Sequence, residues 1–177
     1  MNRKINILPL MTLLCTLPFA KISAQQKNPT TTTASQADIN SIRSEFKRIN
    51  GLTLRNEKFT YEAAACAEDG VVQYFFNGKE IVKIIETGAI GDGSWTKEYY
   101  YQSGKFIFSY EVAIGSSADG QDSKIEHRLY VKDGKILRYM EDQKEIKADS
   151  EAERGVRVAD KIRNAYTTKE FAKALCE

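Results

Sequence analysis

Three stretches of this chain share one pattern, and together they constrain its fold more than any other feature. Tyr74-Phe75-Phe76-Asn77-Gly78-Lys79, Glu98-Tyr99-Tyr100-Tyr101-Gln102-Ser103-Gly104-Lys105-Phe106-Ile107-Phe108 and Leu129-Tyr130-Val131-Lys132-Asp133-Gly134-Lys135-Ile136 each carry an aromatic or β-branched run, a small polar residue, a glycine, a lysine and a second apolar run. Strand-favouring residues on both sides of a pair able to take positive φ are the signature of a tight hairpin. Three hairpins in series predict an antiparallel meander. Strands are expected at 58–66, 71–76, 80–87, 94–101, 105–114, 124–131 and 136–141, which makes six or seven according to whether the alanine-rich 58–66 forms one.

Side-chain alternation within the central hairpin predicts its two faces. A two-residue loop at Ser103-Gly104 pairs Tyr101 with Phe106, Tyr99 with Phe108, Lys97 with Tyr110 and Trp95 with Val112. That puts Trp95, Tyr99 and Phe108 in the interior and turns Glu98, Tyr100 and Glu111 outward. The same test on the third hairpin favours a three-residue loop, with Leu129 opposite Leu137, Tyr130 opposite Ile136 and Arg128 opposite Arg138.

Helices are expected at both ends of the sheet region. Ile39, Ile42, Phe46 and Ile49 recur at helical spacing over 37–50, behind a Ser35/Asp38 capping box, and Asn50-Gly51 stops the helix. Ser150 with Glu153 opens a second helix over 150–165, whose stripe is Val156, Ala159, Ile162 and Tyr166. Thr167 with Glu170 caps a last short one carrying Phe171, Ala174 and Leu175. The predicted class is α+β: a six- or seven-stranded meander with an N-terminal and a C-terminal helix packed on it.

The N-terminus carries an address. Arg3 and Lys4 precede an apolar run, Ile5 to Phe19, broken by Pro9 and Pro18 and followed by Ser23-Ala24. This order reads as a secretory signal peptide at 1–24, too short and too broken to span a bilayer. The threonine-rich 25–36 reads as a flexible linker, and 37–177 as a single domain. Removing 1–24 takes away Arg3, Lys4 and Lys21 and no acid, so the formal charge falls by three, from +2 to −1. A near-neutral chain without a basic cluster gives no electrostatic case for nucleic acid or for insertion into a membrane. The expected place is the periplasm or the cell surface. There Cys66 and Cys176 form a candidate disulfide.

The chemistry-bearing residues are few. His127 is the only histidine and two distant cysteines offer no zinc spacing, so neither metal nor cofactor is expected. Gly88 to Gly93 precedes a strand and not a helix, so it is no phosphate loop. Glu98, Glu111 and Glu126 lie on strands with Arg128 and Arg138. Two carboxylates across neighbouring strands could serve as the acid and base of a glycosidase-like hydrolase; the plainer reading is a solvated sheet face. Tyr100 and Tyr130, expected beside those charges, are the candidate contacts for an unknown protein or glycan partner. The leading expectation is a non-enzymatic binding or interaction module. The alternatives are the carboxylate hydrolase and an inhibitor-like module acting through the loop 115–122.

The Tyr-Tyr-x-x-Gly-Lys hairpins resemble uncharacterised exported bacterial β-meander proteins over roughly residues 37–141. They are more distantly similar to MORN-type repeats. The resemblance implies a periplasmic or surface β-rich module and brings no catalytic residue with it. The turn glycines at 78, 104 and 134 are 26 and then 30 residues apart, unlike a regular repeat.

Overall fold

A computed structural model describes residues 31–116 and 122–177. The expected signal peptide and the first half of the expected linker lie outside the described residues. So do residues 117–121 of the loop that the inhibitor-like reading relied on.

The fold is α+β. Eight strands, not six or seven, form one antiparallel meander in the order β1 to β8. They are β1 (Arg55–Ala63), β2 (Ala67–Asn77), β3 (Glu80–Ile90), β4 (Gly93–Gln102), β5 (Lys105–Ser116), β6 (Asp122–Lys132), β7 (Lys135–Glu141) and β8 (Lys144–Ile146). The unexpected eighth follows a turn at Asp142, which holds positive φ, and is too short to show a period. Helix α1 (Thr31–Asn50) precedes the sheet, and α2 (Ser150–Thr168) and α3 (Phe171–Cys176) follow it. No helix among the described residues is long and apolar enough to cross a membrane.

The helix ends differ from the capping pattern read in the sequence. α1 begins at Thr31, so Ser35 lies inside it; threonine costs a helix under about 0.7 kcal/mol per residue relative to alanine, too little to stop one. The cap of α2 is Asp149, whose carboxylate accepts from the backbone N–H of Glu151 and Ala152 at 3.1 and 3.0 Å. Ser150 is already helical. Thr167 falls within α2, and α3 starts after Glu170 without a side-chain cap.

The largest correction concerns the faces of the sheet. Each of the three hairpins that share the sequence pattern closes with a two-residue loop, at Gly78-Lys79, Ser103-Gly104 and Asp133-Gly134, and each then skips one residue on the returning strand. Phe75 faces Lys83 while Phe76 faces Ile81, leaving Val82 unpaired. Tyr100 faces Phe108 while Tyr101 faces Phe106, leaving Ile107. Tyr130 faces Arg138 while Val131 faces Ile136, leaving Leu137. Such a bulge sets two residues against one, and beyond it the returning strand is out of step by one.

The expected pairings therefore hold only next to the central turn. Past Ile107, Tyr99 meets Ser109, Glu98 meets Tyr110 and Lys97 meets Glu111. Phe108 moves to the face of Tyr100, away from Tyr99, and Glu111 leaves the face of Glu98. The three-residue loop expected at Asp133-Gly134 is a two-residue loop for the same reason. Both its residues hold positive φ, as the favoured two-residue turn requires.

Both faces of the sheet are consequently apolar, and both are covered. On one, Ile39, Ile42 and Ile49 of α1 pack with Val82, Tyr100, Ile107, Phe108 and Tyr130. On the other, Val158, Ala159, Ile162, Ala165, Phe171 and Leu175 of α2 and α3 pack with Tyr74, Tyr99, Tyr101, Leu129 and Val131. Two buried tyrosines tie α2 down through its backbone. Tyr74 donates to the Ile162 carbonyl at 2.6 Å and Tyr101 to that of Ala159 at 2.7 Å. Burial pushes the pKa of both hydroxyls up, so both remain donors.

Cys66, in the turn between β1 and β2, is bonded to Cys176 at the end of α3, with Cα atoms 5.9 Å apart. The bridge spans 110 residues, and closing so long a loop removes much of the unfolded chain's freedom. Replacing both cysteines with serine is expected to lower unfolding stability by about 2–5 kcal/mol. Urea denaturation of the two forms, side by side, checks it.

Candidate functional site

Two of the concavities among the described residues, one on each side of the sheet, gather aromatic and charged side chains that the sequence singles out. The first lies between α1 and strands β5 and β6. It is lined by Ile42, Arg43, Phe46, Lys47, Phe108, Tyr110, Arg128 and Tyr130, and its volume is about 300 Å³. Helical spacing builds one wall: Ile42 and Phe46 sit a turn apart, and Arg43 and Lys47 sit a turn apart beside them. The bulge at Ile107 builds the floor by bringing Phe108 round beside Tyr130, ring centres 4.9 Å apart. Phe46 meets Phe108 edge-on at 5.5 Å.

Charge is confined to the groove's rim. The Arg43 guanidinium lies 5.7 Å over the Tyr130 ring, and that of Arg128 lies 5.0 Å over Tyr110. Arg128 also pairs with Glu126 at 2.6 Å and donates to the Asp142 carbonyl at 2.5 Å. Glu126 further accepts from Lys124 at 2.8 Å. Hydrogen bonds from Lys124 first, then from Arg128 and Tyr110, hold its carboxyl down at about 2. At the other end of α1, Lys83 pairs with Glu98 at 2.8 Å and donates to Asn50 at 3.0 Å. Asn50 donates to the Tyr100 hydroxyl at 3.0 Å, and that hydroxyl donates to Glu98.

The second concavity lies between the first turns of α2 and the sheet. It is lined by Glu86, Trp95, Lys97, Tyr99, Glu111, Glu151 and Arg154 among others and measures about 220 Å³. Register creates a charged row across five strands here: Glu86, Lys97, Glu111, His127 and Glu141 are successive cross-strand neighbours. Lys97 and Glu111 pair at 2.9 Å, and His127 and Glu141 at 3.5 Å. Glu86 is only 5% exposed. One of its oxygens accepts from Tyr61 at 3.0 Å and Trp95 at 2.8 Å, the other from Tyr99 at 3.2 Å. Two glycines make this possible. Tyr61 lies across Gly70 and Trp95 across Gly88, where a Cβ would collide with each ring, so both aromatic groups can swing inward to the carboxylate.

Of the residues singled out in the sequence, all but Glu111 share the α1 face. Tyr100, expected to look outward, is fully buried under Phe46. Tyr130 is also buried, but its ring floors the groove. Arg128 and Glu126 stand at one end of that groove, while Glu98 locks the C-terminal end of α1. Arg138 pairs with Glu145 of β8 at 2.9 Å. Glu111 alone lies under α2, so the structure does not bring Glu98, Glu111 and Glu126 together.

Sequence reasoning passed over Glu86, Lys97, Arg43 and Lys47. Glu86 left one trace, a carboxylate in phase with Ile84 inside an apolar strand. Arg43 and Lys47 lie off the apolar stripe of Ile39, Ile42, Phe46 and Ile49, yet they border the groove. Among the described residues no three of His, Cys, Asp and Glu are grouped to hold a metal. No family model, no curated protein and no solved structure matches the chain.

Two expectations test this geometry. Glu86→Gln turns one acceptor into a donor facing Tyr or Trp donors, and should cost about 1–3 kcal/mol in urea unfolding, with altered Trp95 emission. Glu126, held ionised by its neighbours, contributes stability that is present above the ordinary carboxylate range and lost as pH falls towards about 2. Carbon-13 titration of its carboxyl should give a midpoint near that value, raised by Lys124→Ala; a native midpoint near an ordinary glutamate's would contradict the assignment.

Proposed function

We propose that this protein is a non-enzymatic, exported binding module that holds its ligand in the groove between α1 and strands β5 and β6. The observation that carries the reading is a concavity beside α1 lined by the aromatic side chains of Phe46, Phe108, Tyr110 and Tyr130. Small-molecule sites are concave, mostly apolar and furnished with a few placed polar groups, and the groove's volume lies at the lower end of their range. The signal-like segment at 1–24 and the Cys66–Cys176 bridge support a place in the periplasm or at the cell surface. The alternative of a carboxylate hydrolase draws less support. Glu86 and Glu111 flank Lys97, but both oxygens of Glu86 are already committed to aromatic donors, and Glu111 is bound to Lys97. An acid or base must be free to meet its substrate.

The test uses N-phenyl-1-naphthylamine, a neutral apolar dye that brightens out of water, with nitrogen-15 spectra of the protein recorded alongside. Saturable binding at about 1–100 μM is expected, with amide shifts clustered at 42–47, 108–110 and 128–130. Shifts scattered over the surface, or no saturation, would refute the site.

A further inference from the structure

Resting on that groove as the binding site, we propose that its ligand is an amphipathic carboxylate, an aromatic ring or short alkyl chain carrying one negative head. The residues lining the groove contribute three cations, Arg43, Lys47 and Arg128, and no carboxylate. Arg128 is already answered by Glu126. Arg43 and Lys47 are not ion-paired among the described residues, a state they share with Lys79, Lys135 and Lys144; their place on the rim of the groove is what sets them apart.

The two available cations stand one helical turn apart on the same rim. Arg43 lies over Tyr130 in a cation–π contact, which keeps its guanidinium beside the apolar floor. A guanidinium in that position meets a carboxylate with two parallel hydrogen bonds. The floor then takes the apolar body. It is built from ring faces and edges of Phe46, Phe108 and Tyr130, surfaces that suit a flat ring or a slender chain. A polyanion fits this arrangement poorly, since the third cation is neutralised, and a neutral ligand would leave Arg43 and Lys47 unused.

The experiment is displacement of N-phenyl-1-naphthylamine from the folded chain by decanoate and by decanol, which share a tail and differ in charge at the head. Decanoate is expected to displace the dye at about tenfold lower concentration than decanol, the ratio one charge-assisted pair at a partly exposed site supplies. In the double variant Arg43→Gln, Lys47→Gln, with each displacement referred to that variant's own dye affinity, the preference for decanoate should vanish; both side chains are exposed, so the melting temperature should stay close to that of the wild type. Equal displacement by decanoate and decanol, or a preference that survives in the double variant, overturns the carboxylate assignment and leaves the groove standing. Failure of the dye itself to bind the wild-type protein overturns the groove reading and this inference with it.

Discussion

One skipped residue beside each of three hairpin turns governs this structure. Without the bulges at Val82, Ile107 and Leu137, strict alternation would gather the aromatics of the meander on one face and leave the other wet. With them, Tyr99 and Phe108 go to opposite faces, Tyr100 is buried, and Glu111 parts from Glu98. A sheet that is apolar on both sides cannot stand in water uncovered. The helices must therefore divide, α1 taking one face and α2 with α3 the other.

Polar groups then become the means of fixing the layers. Tyr74 and Tyr101 bond to carbonyls of α2, and Tyr100 with Asn50, Glu98 and Lys83 pins the end of α1. Under α2 the glutamate at 86 is held by three aromatic donors. Buried carboxylates are tolerated only when so satisfied, and the arrangement is closed: the donors that stabilise Glu86 also occupy it. The α1 side is different. Its helix is tied down near its ends, while midway along it a groove floored by Phe108 and Tyr130 carries on its rim two cations, Arg43 and Lys47, that are not ion-paired among the described residues. That contrast is why the binding reading is placed on α1 and not on the more highly charged row beneath α2.

Much of the architecture was legible because it is local. Turn residues able to take positive φ, runs of strand formers, the helical spacing of Ile39, Ile42, Phe46 and Ile49, and the Cys66/Cys176 pair act over short stretches or through composition, and the hairpins, helices and disulfide stand where those signals put them. The bulges had a trace as well, two or three apolar residues in succession after each turn: Ile81-Val82, Phe106-Ile107-Phe108 and Ile136-Leu137. Alternation alone cannot read such a run, because it fits either face.

By itself, then, the sequence determined an antiparallel meander flanked by helices, since hairpin turns and helical period are properties of neighbouring residues. Only the tertiary structure decided which side chains share a face, and with that the groove of Arg43, Lys47, Phe108 and Tyr130 and the buried Glu86. The physical reason is that each bulge reverses the phase of everything beyond it, and whether a strand takes one depends on helices that pack against it from distant parts of the chain.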